Sequence, residues 1–152
     1  MARRTDLTRA TALAALFTAG TLLAASLPDY AVADETLQIE VWNKQDGSQG
    51  MTLSAAEIKA GKITFAVTNS STDMEHEFLY VKTDMAPDQF PMQEGGIKVD
   101  EGKLTGFHEF GDVEPGDTKT WTADLDAGRY LLFCNEEGHF KAGMYATLTV
   151  TP

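Results

Sequence analysis

The 152-residue chain has one cysteine, three histidines and five prolines, and only 12 basic residues against 23 acidic ones. Each shortage excludes something. A single cysteine cannot form an internal disulfide, so the fold has to stand on its packed core. The shortage of basic charge argues against nucleic acid, whose phosphates demand a basic surface. The chain has no internal repeat, low-complexity tract or His- or Met-rich tail, and its length suits one small domain.

The N-terminus reads as an export signal. Arg3, Arg4 and Arg9 form a basic region, Ala10 to Leu27 is small and apolar, and Ala31-Val32-Ala33 matches the small-x-small pattern of a cleavage site. Cleavage after Ala33 is expected, which leaves 34–152 as the mature domain. The competing reading is a retained membrane anchor, since the stretch is about long enough to span. Arg3-Arg4 raises the twin-arginine route, although Asp6 sits where that motif usually has an apolar residue; Sec and twin-arginine export both stay open. No cysteine follows the apolar stretch, so a lipid-modified cysteine is not expected there. The expected destination is the periplasm. From Asp34 onward there are nine basic and 21 acidic residues, a formal charge of −12. That favours solubility and attraction to basic partners.

Period-two alternation recurs along the mature part. Strands are predicted at Leu37–Trp42, Met51–Leu53, Ile63–Thr68, Glu75–Lys82, Phe107–Phe110, Lys119–Leu125, Arg129–Cys134 and Met144–Thr151. Ser54 to Ala60 is predicted to form a short helical turn. Asn69–Asp73 reads as a polar turn, and Thr83–Thr105 as a long irregular excursion with one helical turn. The fold class expected is an all-β Greek-key sandwich of seven or eight strands.

An unpaired cysteine in an oxidising compartment needs a reason. In Y-L-L-F-C-N-E-E-G-H-F-K-A-G-M-Y, four residues separate Cys134 from His139 and four more separate His139 from Met144. Strands flank the segment, so the three side chains can converge from one loop. Thiolate, imidazole and thioether suit copper in both oxidation states, and two histidines with a cysteine and a weak axial methionine describe a blue-copper site. The second histidine is His76 or His108. His76 is chosen because it opens the strand E-H-E-F-L-Y-V directly after a polar turn, whereas His108 lies beside an acidic turn. Zinc is the competing metal, but methionine is a poor ligand for it. A Cys-His nucleophile also competes, without an evident oxyanion apparatus. Taken singly, each of these residues is ordinary: a buried thiol, a surface imidazole, a core methionine.

At these residues the chain resembles the cupredoxins, the plastocyanin and azurin superfamily. G-R-Y-L-L-F-C resembles their strand into the copper cysteine. Gly138-His139 is similar to the azurin and rusticyanin types, and Gly143-Met144 to plastocyanin and auracyanin. M-T-L-S-A-A-E-I-K-A-G-K-I-T-F-A-V-T-N-S is similar to small exported cupredoxins, some linked to copper tolerance. The resemblance covers essentially the mature domain. It implies one type 1 copper with His76, Cys134 and His139 equatorial and Met144 axial. It also implies that His139 is the electron port. The ligand set itself suits one-electron transfer. Multicopper oxidases and copper nitrite reductases contain such domains but need more copper ligands than three histidines supply, so catalysis is not expected. The acidic surface predicts a basic partner such as a cytochrome c. Copper handling for tolerance or delivery is the alternative role. The expected state is a monomer with no lasting membrane attachment. Two departures stand out: Glu77, where many members carry asparagine or serine, and Glu136-Glu137 within the ligand loop. Met74, Met85 and Met92 are candidates for a weak Cu(I) surface or for gap filling, and Phe90 and Phe140 for shielding the metal or for core packing.

Overall fold

Alternation in sequence becomes alternation in burial. In Glu35–Asn43 the side chains of Leu37, Ile39 and Val41 are buried, while Thr36, Gln38 and Glu40 between them face solvent. The computed structural model describes residues 35–152; the export segment expected at 1–33, with its cleavage site, lies outside the described residues. Nine strands follow one another: β1 (Glu35–Asn43), β2 (Gln49–Leu53), β3 (Glu57–Lys59), β4 (Gly61–Asn69), β5 (His76–Lys82), β6 (Phe107–Val113), β7 (Thr118–Leu125), β8 (Gly128–Phe133) and β9 (Tyr145–Thr151). They form a four-stranded sheet ordered β2-β1-β4-β7 and a five-stranded sheet ordered β3-β9-β8-β5-β6. The pairs β1–β4 and β3–β9 are parallel. Among the described residues no helix is long and apolar enough to cross a membrane.

The core lies between the sheets. Leu37, Ile39 and Val41 of β1 and Ile63, Phe65 and Val67 of β4 meet Phe78, Tyr80, Tyr130, Leu132, Leu148 and Val150 of the facing sheet. Phe65 sits 5.4 Å from Phe78 and 5.5 Å from Tyr80, centroid to centroid. Burying each such ring contributes roughly 2–3 kcal/mol of transfer free energy. A second cluster covers the other face of β5 and β8, where Leu79, Val81, Leu131 and Phe133 pack against Phe90, Val99 and Phe140. These two strands are therefore buried on both faces, which is why F-L-Y-V and Y-L-L-F read as continuous apolar runs.

Two expectations are corrected. Ser54–Ala60 does not form a helical turn: Glu57–Lys59 is strand β3, with Ile58 paired to Val150 and only 4% exposed. This strand takes the count among the described residues to nine. Burial of Ile58 beside β9 outweighs the helix preference of the neighbouring alanines. The excursion between β5 and β6 carries two 3-10 turns, Pro87–Gln89 and Glu101–Lys103, rather than one.

Candidate metal centre

Strand register assembles the site. In the antiparallel pair β5–β8, Leu79 faces Phe133, so the start of β5 lies beside the end of β8. In β8–β9, Phe133 faces Tyr145, and the Cys134 N–H donates to the Met144 carbonyl at 3.1 Å. His76, Cys134 and Met144 thus reach one end of the five-stranded sheet. His76 shares the inner face with Phe78 and Tyr80 by period-two alternation. The intervening loop is wound tightly: His139 N–H donates to Glu136 O at 3.0 Å and Met144 N–H to His139 O at 3.0 Å. Gly138 and Gly143 turn it at φ of +82° and +99°, backbone that side-chain-bearing residues rarely adopt.

The donors converge. His76 Nδ1 lies 3.3 Å from His139 Nδ1, and Cys134 Sγ lies 3.4 Å from the same His139 nitrogen. The ligand atoms of His76, Cys134 and His139 all lie within 4.8 Å of one another. The imidazoles are tilted by 58° with centroids 5.0 Å apart, so they meet edge-on rather than stacked. His76, Cys134 and Met144 are shut off from solvent, and His139 is half-buried. Met144 packs in the same inner core as Cys134, with its backbone tied to both Cys134 and His139. His108 is elsewhere: it is exposed on β6, opposite Tyr80, and stacks on that ring at 4.8 Å.

Burial sets the protonation states. It pushes His76 down to about 4, with the neighbouring His139 adding to the effect. It also lowers His139, against the pull of the Glu136 carboxylate. It pushes the Cys134 thiol up to about 12, although the backbone N–H groups of Glu136 and Glu77 draw it down. Two neutral imidazoles therefore offer lone pairs at neutral pH, and a thiol awaits a cation to become a thiolate. The set fits copper: two nitrogens, one sulfur and an adjacent thioether, with no carboxylate in the cluster. Zinc sites close with thiolate, imidazole or carboxylate instead.

Supporting residues went unnoticed in the sequence. Asn69 is fully buried; its Nδ2 donates to Met74 O at 2.7 Å and Val113 O at 2.8 Å, and its Oδ1 accepts from Ser71 N–H at 2.9 Å. Ser71 Oγ in turn lies 2.7 Å from His76 Nε2. Asn135 ties the ligand loop to the excursion: its Oδ1 accepts from Val99 N–H at 2.7 Å, and its Nδ2 donates to Val99 O at 3.2 Å and to Glu101 Oε1. Gly138 N–H donates to Ile97 O at 2.8 Å, a second tie. The only signal was adjacency, since Asn135 follows the cysteine and the 69–71 turn precedes the histidine.

Glu77 is a half-buried carboxylate held up at about 7 by burial and by Glu109, Glu101 and Asp112 around it. Phe90 and Phe140 pack in the second core cluster, Phe140 at 5.6 Å from Phe133. The three methionines do not share one surface. Met74, 42% exposed, lines a groove with His139 and Glu137, whereas Met92 lines another with Phe90 and Phe140. Met85 lies where Arg129 Nη1 donates to its carbonyl at 2.9 Å.

No family profile matches the chain, and no curated protein does. Solved structures do. Reduced auracyanin from the photosynthetic bacterium Roseiflexus castenholzii superposes with a TM-score of 0.52 at 21% identity, covering 79% of this chain and 99% of that one. Rusticyanin from Thiobacillus ferrooxidans superposes with a TM-score of 0.53 at 15% identity, covering 78% and 79%. At these identities the likeness is one of fold, and the fold is that of the cupredoxins.

Proposed function

We propose that this chain is an exported carrier of one type 1 copper ion that moves single electrons between redox partners. The observation that carries this reading is the convergence of His76 Nδ1, His139 Nδ1 and Cys134 Sγ within 4.8 Å at one end of the sandwich, with His76 and Cys134 buried and His139 half-buried. His76, Cys134 and His139 would hold the ion, and Met144 would add a weak thioether donor. Bound there, copper supplies a Cu(I)/Cu(II) couple. The chain's own residues do the rest. Strands β5 and β8, packed on both faces, keep the donors in one arrangement for both charge states. Phe140 and Phe133 pack together on the outer side of the sheet next to the ligand loop. His139 alone of the three clustered donors reaches the surface, at a groove of about 300 Å³, and is the electron exit.

Copper-loaded protein is expected to show intense visible absorption from the cysteine thiolate. Cys134→Ser should abolish it; colour that survives the substitution overturns the assignment.

The remaining expectations belong to this reading: export to the periplasm, removal of residues 1–33, a monomeric soluble domain, and a basic redox partner such as a cytochrome c. The acidic surface supports the partner class. One observation favours copper handling as a second reading, namely the exposed Met74 thioether in the His139 groove, a soft donor at the mouth of the site. Deleting the gene separates the two. Loss of tolerance to excess copper supports handling; loss of a respiratory or photosynthetic electron flux, with tolerance unchanged, supports transfer.

A further inference from the structure

His76 has both ring nitrogens engaged. Nδ1 faces His139, and Nε2 lies 2.7 Å from Ser71 Oγ. A neutral imidazole carries one proton, and the nitrogen that carries it cannot also offer a lone pair to a metal. The two Nδ1 atoms are 3.3 Å apart, too close for both to bear hydrogen. What stands behind Nε2 therefore matters.

Ser71 is held from several directions. The Asn43 backbone N–H, at the end of β1, donates to its Oγ at 3.1 Å. Its own N–H donates to Asn69 Oδ1 at 2.9 Å. Asn69 is itself pinned by carbonyls of the 70–75 turn and of β6. Ser71 is 4% exposed and Asn69 fully buried, so neither can swing away to water without cost. The oxygen keeps a lone pair beyond the one that Asn43 uses, and His76 Nε2 lies within hydrogen-bond reach of it at 2.7 Å.

We infer that Ser71 is a positioning residue: its hydroxyl oxygen accepts the Nε2–H of His76 and so fixes the tautomer whose Nδ1 lone pair points at the Cys134–His139 cluster. The inference rests on the reading of His76 Nδ1 as a ligand. It also gives the turn a task, because Asn43 of one sheet and His76 of the other are joined through this single hydroxyl. Partners behind a ligating histidine typically change metal affinity about 10- to 100-fold when removed.

The test starts on metal-free protein with nitrogen-15-labelled histidine. Long-range proton–nitrogen NMR at neutral pH is expected to show His76 protonated at Nε2. Ser71→Ala should shift it toward the Nδ1–H form or a mixture, and Ser71→Thr, which keeps the hydroxyl, should restore it. Anaerobic competition for cuprous ion against a chromophoric chelator is expected to show about 10-fold weaker binding for Ser71→Ala and near-native binding for Ser71→Thr. Nδ1–H in the wild type overturns the inference, and so does a Ser71→Ala protein with unchanged tautomer and unchanged affinity. Should Ser71→Ala not fold, the wild-type tautomer decides alone. A wild type with the Nε2–H tautomer that takes up no copper overturns the copper reading and upholds the role of Ser71.

Discussion

Two titratable side chains adjacent in sequence pull the metal-free protein in opposite directions. His76 is pushed from 6.5 to about 4 by burial, so as pH falls the unfolded chain takes up that proton first. Stability is therefore lost as pH drops from about 6.5 toward 4. Glu77 behaves inversely. Held up at about 7 instead of 4.5, it keeps its proton in the fold where the unfolded chain has lost it. Its contribution is present at low pH and is lost as pH rises from about 4.5 through 7. Glu77→Gln should thus stabilise the metal-free protein by about 1–2 kcal/mol at pH 8 and leave it unchanged at pH 4. Urea denaturation at the two pH values reads this directly. An equal effect at both would show that the carboxylate is not desolvated.

At the scale of elements, the ligand loop is clamped by the excursion between β5 and β6. Asn135 makes its three hydrogen bonds to Val99 and Glu101 in a buried setting. Asn135→Ala leaves the Val99 N–H and C=O without partners and is expected to cost about 2–3 kcal/mol in thermal or denaturant unfolding. A loss below about 0.5 kcal/mol would mean that the excursion does not hold the loop. This clamp also shows what the sequence could reveal. The Cys134–His139–Met144 spacing was legible because it is local and lies between two strong strand patterns. His76 was legible because a histidine opening an apolar strand is set by register. The strands themselves followed from alternation, as in Leu37, Ile39 and Val41. Strand β3 was hidden because Glu57-Ile58-Lys59 holds one apolar residue, and its partner Val150 is distant in the chain. Asn69, Ser71 and Asn135 were hidden for a different reason. Polar residues in a turn look solvated until tertiary packing buries them, and burial turns them into obligatory hydrogen-bonding groups.

Over the whole molecule, the proposed encounter with a basic partner rests on charge. From Asp34 onward the formal charge is −12, and acidic side chains crowd the side of the site: Glu75 is raised by a hydrogen bond to Glu114 and by Asp112 and Glu136. Electron transfer to a basic cytochrome c is expected to slow by about tenfold or more between 10 mM and 300 mM salt, as screening removes the steering. A salt-independent rate, measured by stopped flow, would rule out an electrostatic encounter.

The central claim concerns a sulfur and two imidazoles sharing one ion, and electron paramagnetic resonance of the cupric protein addresses it most directly. Strong thiolate covalency moves unpaired spin from metal to sulfur, so the copper hyperfine splitting should be compressed well below that of a tetragonal site. A wide, tetragonal splitting, or a domain that takes up no cupric ion, would contradict the account.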